Sequence, residues 1–402
     1  MPEFKKSQKL NNVRYEVRGV VPTEADKLIA RGEKILKLNI GNPAIFGFNA
    51  PEAVFEAVSA NIRAAQPYSD SKGIISARRA ILKYHQGKNL PNIGEDDIYI
   101  GNGESELITI CMQALLDSGD EILIPAPDYP LWTAAATLSG GKPVHYMCDE
   151  QAGWNPDLAD IKKKITGRTK GIVIINPSNP TGALYDADAL SAIVQIAREH
   201  GLIIFSDEVY DRLIYRGEYT SIAALAPDLF CVTFNGISKS DVVCGYRCGW
   251  MVLSGDKSKA GDYIEGLNLL TSMRLCANVP TQYAVEAALA NTEPNPWVLP
   301  GGRLYEQCEL AHRALNDIPG ISAVKPKASL YIFPKIDVKR FNITDDQQFA
   351  LDFLHQRKVL VVQGTGFNWP KPDHFRVVFL PELGELKEAI DKLGDFLSTY
   401  RQ

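Results

Sequence analysis

From about residue 97 to residue 253 the chain alternates short apolar runs with stretches of helical periodicity, and nothing else in the sequence constrains the fold as much. Ile98-Tyr99-Ile100 precedes a predicted helix over about 104–116. Glu121 to Ile124 precedes one beginning near Leu131, and Gly171 to Ile175 precedes one over 186–200. Leu202 to Phe205, Cys231 to Phe234 and Trp250 to Leu253 are further apolar runs of strand length. Such runs between helices predict parallel strands covered on both faces. In a sheet of that kind a ligand sits outside the carboxyl ends of the strands, so the residues just after each run are the ones to inspect.

Those residues carry chemistry. Gly101-Asn102-Gly103-Glu104-Ser105 opens a helix, where bare amides and the positive dipole end cradle an anion. Pro125 to Pro130 is a rigid turn that holds the Tyr129 ring either as a flat platform or as packing at a domain seam. Asn176-Pro177-Ser178-Asn179-Pro180-Thr181-Gly182 aims amide side chains outward, or is plain turn chemistry. Asp207, in Ser206-Asp207-Glu208-Val209-Tyr210, is costly to bury unless a cation meets it. Lys239 follows a strand end and small residues; partial desolvation there disfavours the ammonium and leaves a nucleophilic amine. Arg247, eight positions on, is the residue type for a forked contact to phosphate. Arg376 lies in the apolar run His374 to Phe379 and calls for a carboxylate partner.

Singly, each has a bland explanation, such as a solvated lysine in a surface turn. Together they describe one ligand. An aromatic ring suits Tyr129, a basic ring nitrogen suits Asp207, and a phenolic oxygen suits Asn179 and Tyr210. A phosphate suits the Gly103–Ser105 helix start with Arg247, and an aldehyde suits Lys239. Pyridoxal 5′-phosphate has all of these groups.

The order Asn-Pro-x-Asn-Pro-Thr-Gly, Asp-x-x-Tyr and Ser-Lys-x7-Arg resembles the fold-type I aminotransferases of class I/II. Leu38 to Pro43, Ala126 to Trp132, Phe234-Asn235-Gly236 and Gln363 to Pro370 resemble in particular the bacterial glutamate–pyruvate (alanine) aminotransferases. The resemblance implies an α/β fold, a mostly parallel sheet sandwiched by helices with a smaller α+β domain. It implies that Lys239 holds the cofactor covalently and then shuttles a proton, that Asp207 keeps the ring nitrogen protonated, and that Asn179 and Tyr210 bond the phenolic oxygen. Tyr129 would stack on the ring, while Gly103, Glu104, Ser105, Ser238 and Arg247 would take the phosphate. Arg376, Gly41 and Asn179 would hold the substrate carboxylate. Tyr68 would reach the phosphate of a neighbouring subunit, implying a homodimer. Amino acids and 2-oxo acids are the implied small-molecule partners.

Two departures stand out. Gly236 occupies a position where some relatives place a phosphate-binding serine, and the segment Ser240-Asp241-Val242-Val243-Cys244 is unusual. Asp241, two residues from Lys239, either points inward and weakens phosphate binding or is solvated. A site serving both glutamate and alanine needs a cation that can be engaged or ignored; Arg18, in Tyr15-Glu16-Val17-Arg18, and Arg274 are the candidates. A β-elimination lyase, an aromatic or broad-specificity aminotransferase and a non-catalytic binding module are the alternatives. The presence of Lys239, Asp207 and Arg376 together argues against the last.

The 402 residues, 45% hydrophobic and 23% charged, are ordinary for a globular chain long enough for two domains. The expected division is a large domain over 50–295 and a small one combining 1–49 with 296–402, with Pro294, Pro296 and Pro300-Gly301-Gly302 at the junction. A net charge of −5 gives no reason to expect nucleic acid or an anionic membrane surface as partner. No apolar run approaches the roughly 20 residues of a membrane span. Seven singly scattered cysteines argue against a disulfide framework and for a reducing cytoplasm, and no histidine near Cys244 and Cys248 suggests a metal there.

Overall fold

The computed structural model describes residues 3–13, 15–291 and 293–402, so Met1 and Pro2 of the polar N-terminal stretch lie outside the described residues. Eight strands form the central sheet: β1 (Ile98–Gly101), β2 (Glu121–Ala126), β3 (Lys142–Asp149), β4 (Asn155–Pro156), β5 (Thr169–Ile175), β6 (Ile203–Asp207), β7 (Phe230–Gly236) and β8 (Gly249–Gly255). Their order is β1-β8-β7-β6-β5-β2-β3-β4. The run from β7 through β3 is parallel, while β8 lies antiparallel between β7 and β1, and β4 is a short antiparallel edge.

The alternation of side chains along these strands separates two cores. Tyr99, Ile122, Ile124, Val173, Ile175, Phe205, Val232 and Phe234 face one side and pack with Leu107, Trp132 and Leu267 from the helices Glu104–Leu115, Leu131–Leu138 and Gly261–Met273. Ile98, Ile100, Leu123, Ile172, Ile174, Ile204 and Trp250 face the other, against Ile81 and Ile193 from Ile75–Gln86 and Ala187–His200. Apolar residues at consecutive positions are therefore all buried, which is why these strands read as unbroken apolar runs. Each fully buried aliphatic or aromatic side chain contributes about 1.5–3 kcal/mol.

The two chain ends meet in a third core. Leu36–Lys37 pairs in parallel with Val359–Leu360, and Phe375–Val378 lies between Tyr331–Ile332 and Val362–Gln363. The helices Val20–Ala30, Arg303–Asn316, Asp346–Arg357 and Leu383–Thr399 cover these strands with Leu28, Leu315, Phe349 and Phe396. Asp345 starts the third of these helices by accepting from the Gln347 and Gln348 amides at 2.9 and 3.1 Å.

Outside the central sheet the sequence pattern and the elements differ in extent. Thr23 to Gly32, with a threonine start and a glycine stop, predicts a helix, which runs Val20–Ala30; the apolar run Ile35 to Ile40 predicts a strand, which is only Leu36–Lys37 before the chain turns into the site. The apolar run Ser329 to Phe333 predicts a strand that narrows to Tyr331–Ile332, since Ser329 has φ +63° and breaks the extended run. No helix among the described residues is long and apolar enough to cross a membrane.

Candidate active site

A cavity of about 540 Å³ opens at the carboxyl ends of β5 and β6, bounded by the third core. Its walls bring together Tyr15, Arg18, Gly41, Glu104, Ser105, Tyr129, Asn179, Asp207, Tyr210, Ser238, Lys239, Arg247 and Arg376. Of the residues given a role toward cofactor or carboxylate by the resemblance, Gly103 and Tyr68 are not on the wall. Gly103 supports it from behind: its φ is +81°, and a Cβ there would collide with the Arg247 guanidinium. Only glycine allows the arginine to lie against the helix start. Tyr68 is 77% exposed on the surface.

Each wall residue is fixed by the fold. Asp207 is the last residue of β6 and 3% exposed. Trp132 Nε1 donates to its Oδ2 at 3.1 Å, while Oδ1 is buried without a partner. Burial raises the Asp207 pKa above the usual carboxylate range. The cation anticipated for this carboxylate is therefore absent from the described residues, and a fitting ligand would bring it.

Arg376 presents the complementary case. The sequence calls for a carboxylate partner, and no described carboxylate forms an ion pair with it, so a ligand would have to bring one. Nη1 donates to Asn179 Oδ1 at 2.8 Å and Nη2 to the Asn39 carbonyl, while Nε is buried unpartnered. The guanidinium lies over the rings of Tyr331 and Phe367, 4.4 and 4.6 Å from their centroids. These contacts tolerate a cation without neutralising it. Burial pulls its pKa below the usual value.

Lys239 follows β7 and is half-buried, and its Nζ donates to the Gly41 carbonyl at 2.7 Å. Gly41 is close-packed here, since a Cβ would strike the Tyr331 hydroxyl. Tyr129 and Tyr15 share a hydroxyl hydrogen bond of 2.9 Å with their rings edge-on. Tyr210 and Tyr331 share one of 2.8 Å. Burial, then the Tyr331 hydroxyl, pushes the Tyr210 phenol up; burial does the same to Tyr129. Arg247 Nη1 donates to the Cys244 carbonyl at 2.9 Å, and the side chain projects to the cavity mouth beside Ser105 and Ser238.

Tyr331, Asn42, Cys244 and Trp132 complete the surroundings and were not assigned roles from the sequence. Asp241 points away from the cavity and is buried against Arg212, with which it forms an ion pair. It is neither solvated nor turned toward a phosphate. Arg274 also lies outside the cavity. It donates to the Ser71 and Ile100 carbonyls at 3.2 and 2.7 Å and pairs with Glu106 at 3.5 Å. Among the described residues no cluster could hold a metal ion.

Comparison with known proteins gives the same result at the level of the whole chain. Over its full length it is 58% identical to the glutamate-pyruvate aminotransferase of Escherichia coli (strain K12), covering 100% of both. It is 53% identical to the alanine aminotransferase of Mycobacterium tuberculosis (strain H37Rv), over 99% of this chain and 94% of that one. Among solved structures, an alanine aminotransferase from Pyrococcus furiosus superposes with a TM-score of 0.92 at 40% identity, covering 98% of this chain and 100% of the other. The family model for class I and II aminotransferases matches residues 33–393. A cavity that brings Lys239, Asp207 and Arg376 together, in a chain matched across nearly its whole length, fits the family whose model it matches: this protein is a member of the class I and II aminotransferases.

Proposed function

We propose that the chain uses pyridoxal 5′-phosphate to move an amino group between L-alanine and 2-oxoglutarate, giving pyruvate and glutamate, and back. The observation that carries the cofactor is the unpartnered Asp207 Oδ1, buried at the floor of a cavity that also holds the Lys239 amine and the Arg247 guanidinium. A protonated ring nitrogen supplies the missing cation, a phosphate suits Arg247 with the Ser105 and Ser238 hydroxyls and the Glu104 helix start, and Tyr129 offers its ring face. Asn179, its Oδ1 engaged by Arg376, keeps its Nδ2 for the phenolic oxygen, and Tyr210 can turn its hydroxyl proton there while accepting from Tyr331.

When bound, the cofactor supplies an electron sink for the charge left at the substrate α-carbon. The protein does the rest. Arg376 grips the α-carboxylate in a forked contact, with Asn179 and the Gly41 backbone beside it. Lys239 would hold the cofactor through its aldehyde and, once the substrate amine takes that place, its free amine would carry the proton to and from Cα as general base and acid. Asp207 keeps the ring nitrogen protonated. Tyr15 with Tyr129 narrows the cavity and excludes water.

Alanine and glutamate as substrates rest on the relatives named above and on Arg18. That side chain borders the main cavity and also a second one of about 270 Å³ lined by Pro22, Thr23, Asp26 and Lys37. A guanidinium with two places to go can meet a second carboxylate or leave a small side chain alone. The reading includes two domains, 50–295 and 1–49 with 296–402, supported by a third core built mostly from the two chain ends. It also includes a homodimer, with Tyr68 reaching the neighbouring phosphate. The exposed Tyr68, Met273 and Leu275 support it, since the Arg274–Ser71 hydrogen bond brings their segments together.

The test is an absorbance spectrum followed by stepwise L-alanine without a keto acid. A visible band of the lysine-bound cofactor that bleaches with one pyruvate per site and no ammonia supports the proposal. Ammonia release points to a lyase, and a band that persists points to aromatic or dicarboxylic donors. No band after incubation with pyridoxal phosphate sinks the cofactor.

A further inference from the structure

Glu104 is the second carboxyl group in the cavity, and the chemistry above leaves its side chain unused. It is the first residue of the helix Glu104–Leu115, and its backbone faces the anion cradle. Glu104 and Asp207 line the same cavity. Glu104 Oε1 is buried without a hydrogen-bond partner, as is Asp207 Oδ1. The two carboxyls lie within hydrogen-bonding reach of each other. Two buried carboxylates facing one another cannot both stay charged, because each loses hydration and repels the other.

We propose that Glu104 is a carboxylic acid that donates its proton to Asp207, so that the pair carries one negative charge beneath the ring, and that losing this proton loosens the cofactor. The assignment of the proton follows from the surroundings. Trp132 and the Val209 amide both stabilise charge on Asp207, whereas Glu104 Oε1 has no donor among the described residues. Burial, then the Asp207 charge, pushes Glu104 well above the usual carboxylate range. The Lys239 and Arg247 cations oppose this, and Tyr129 faces the same group. Glu208 acts on Asp207 from the adjoining position.

The consequence follows from charge. With Glu104 neutral, a phosphate, Asp207, Arg247 and a ring cation form a nearly balanced set. As pH rises through the Glu104 ionisation, a second anion appears between Asp207 and the phosphate cradle, and cofactor affinity falls. Glu104 is thus a positioning residue that acts through Asp207.

This inference rests on the cofactor reading above, and two measurements keep the failures apart. The first is the dissociation constant of pyridoxal 5′-phosphate from about pH 6 to about pH 9, read by tryptophan fluorescence in the wild type and in Glu104→Gln. Glutamine keeps a donor toward Asp207 but does not titrate. The wild type is expected to lose about tenfold more affinity than the variant over this range, while the two agree near pH 6. Parallel pH profiles overturn the proposal. Glu104→Ala, with folding checked by circular dichroism, removes the donor and is expected to bind weakly and without the extra pH dependence. The second is the infrared carbonyl band of a protonated carboxylic acid in the cofactor-free protein, present in the wild type and lost in Glu104→Gln. Absence of that band overturns the shared proton whether or not the cofactor binds. Failure of the wild type to bind pyridoxal phosphate at any pH sinks the cofactor reading and the linkage with it.

Discussion

Arg376 donates to Asn179 across 2.8 Å, joining the strand Phe375–Val378 to the loop that follows β5. One hydrogen bond thus ties the proposed carboxylate grip to the proposed ring contact, so neither side chain can move without the other.

Arg376→Gln removes the cation and the fork. Charge-assisted hydrogen bonds contribute about 1.5–3 kcal/mol each, so losing one or both lowers kcat/KM for every amino acid by about 10-fold to more than 1,000-fold. The cofactor's visible band is expected to persist with a small shift, since Asn179 loses its partner. Steady-state kinetics and a spectrum of the same sample check both parts. Unchanged kcat/KM would remove Arg376 from substrate binding.

Trp132→Phe takes the indole donor from Asp207. Leaving a buried acceptor unpaired costs about 1–3 kcal/mol, which a urea midpoint on the cofactor-free protein reads. Burial already raises the Asp207 pKa and Trp132 opposes that rise. Its loss therefore moves the pKa further up, and the acid limb of the kcat/KM profile shifts to higher pH. A limb that stays in place would show that Asp207 does not govern it.

Asp241→Ala leaves Arg212 half-buried with its acidic partner gone. Breaking a buried pair from one side costs about 3–5 kcal/mol, and partial exposure of Arg212 puts the expectation at the lower end. Removing both partners, Arg212→Met with Asp241→Leu, is expected to cost less than the sum of the single changes. Additive losses by chemical denaturation would dissolve the pairing.

Arg18→Ala is expected to raise the glutamate KM far more than the alanine KM, since only glutamate has a second carboxylate to lose. Equal effects on the two would take Arg18 out of substrate choice.

Most strands of the sheet were legible because burial on both faces leaves few polar positions within them, as in Gly171 to Ile175. β3 escaped because Lys142, Pro143 and His145 leave its first half mixed, consistent with its partial exposure near the edge of the sheet. The helix Gly261–Met273 escaped for the opposite reason: Leu269 and Met273 are exposed, so its apolar residues do not trace one face. Lys239, Asp207 and Arg376 were legible as charges placed where apolar sequence makes charge costly. Tyr331 was not, since a tyrosine in a strand costs little and its contacts with Tyr210 and Arg376 come from distant segments. Asp241 was noticed and misplaced, because its partner Arg212 lies after a different strand.

The position of β8 has a consequence for how the molecule is made. Ile98 in β1 pairs with Val252 in β8, and β8 must enter between two strands already synthesised. A nascent chain that has not reached residue 255 holds β1 without a neighbour, and pairings so distant in sequence form slowly. The site comes together later still, because Arg376 belongs to the last strand of the chain. Until nearly the whole polypeptide has left the ribosome, the lysine and its anion cradle have no grip for substrate, and catalytic competence arrives as one of the final events of folding.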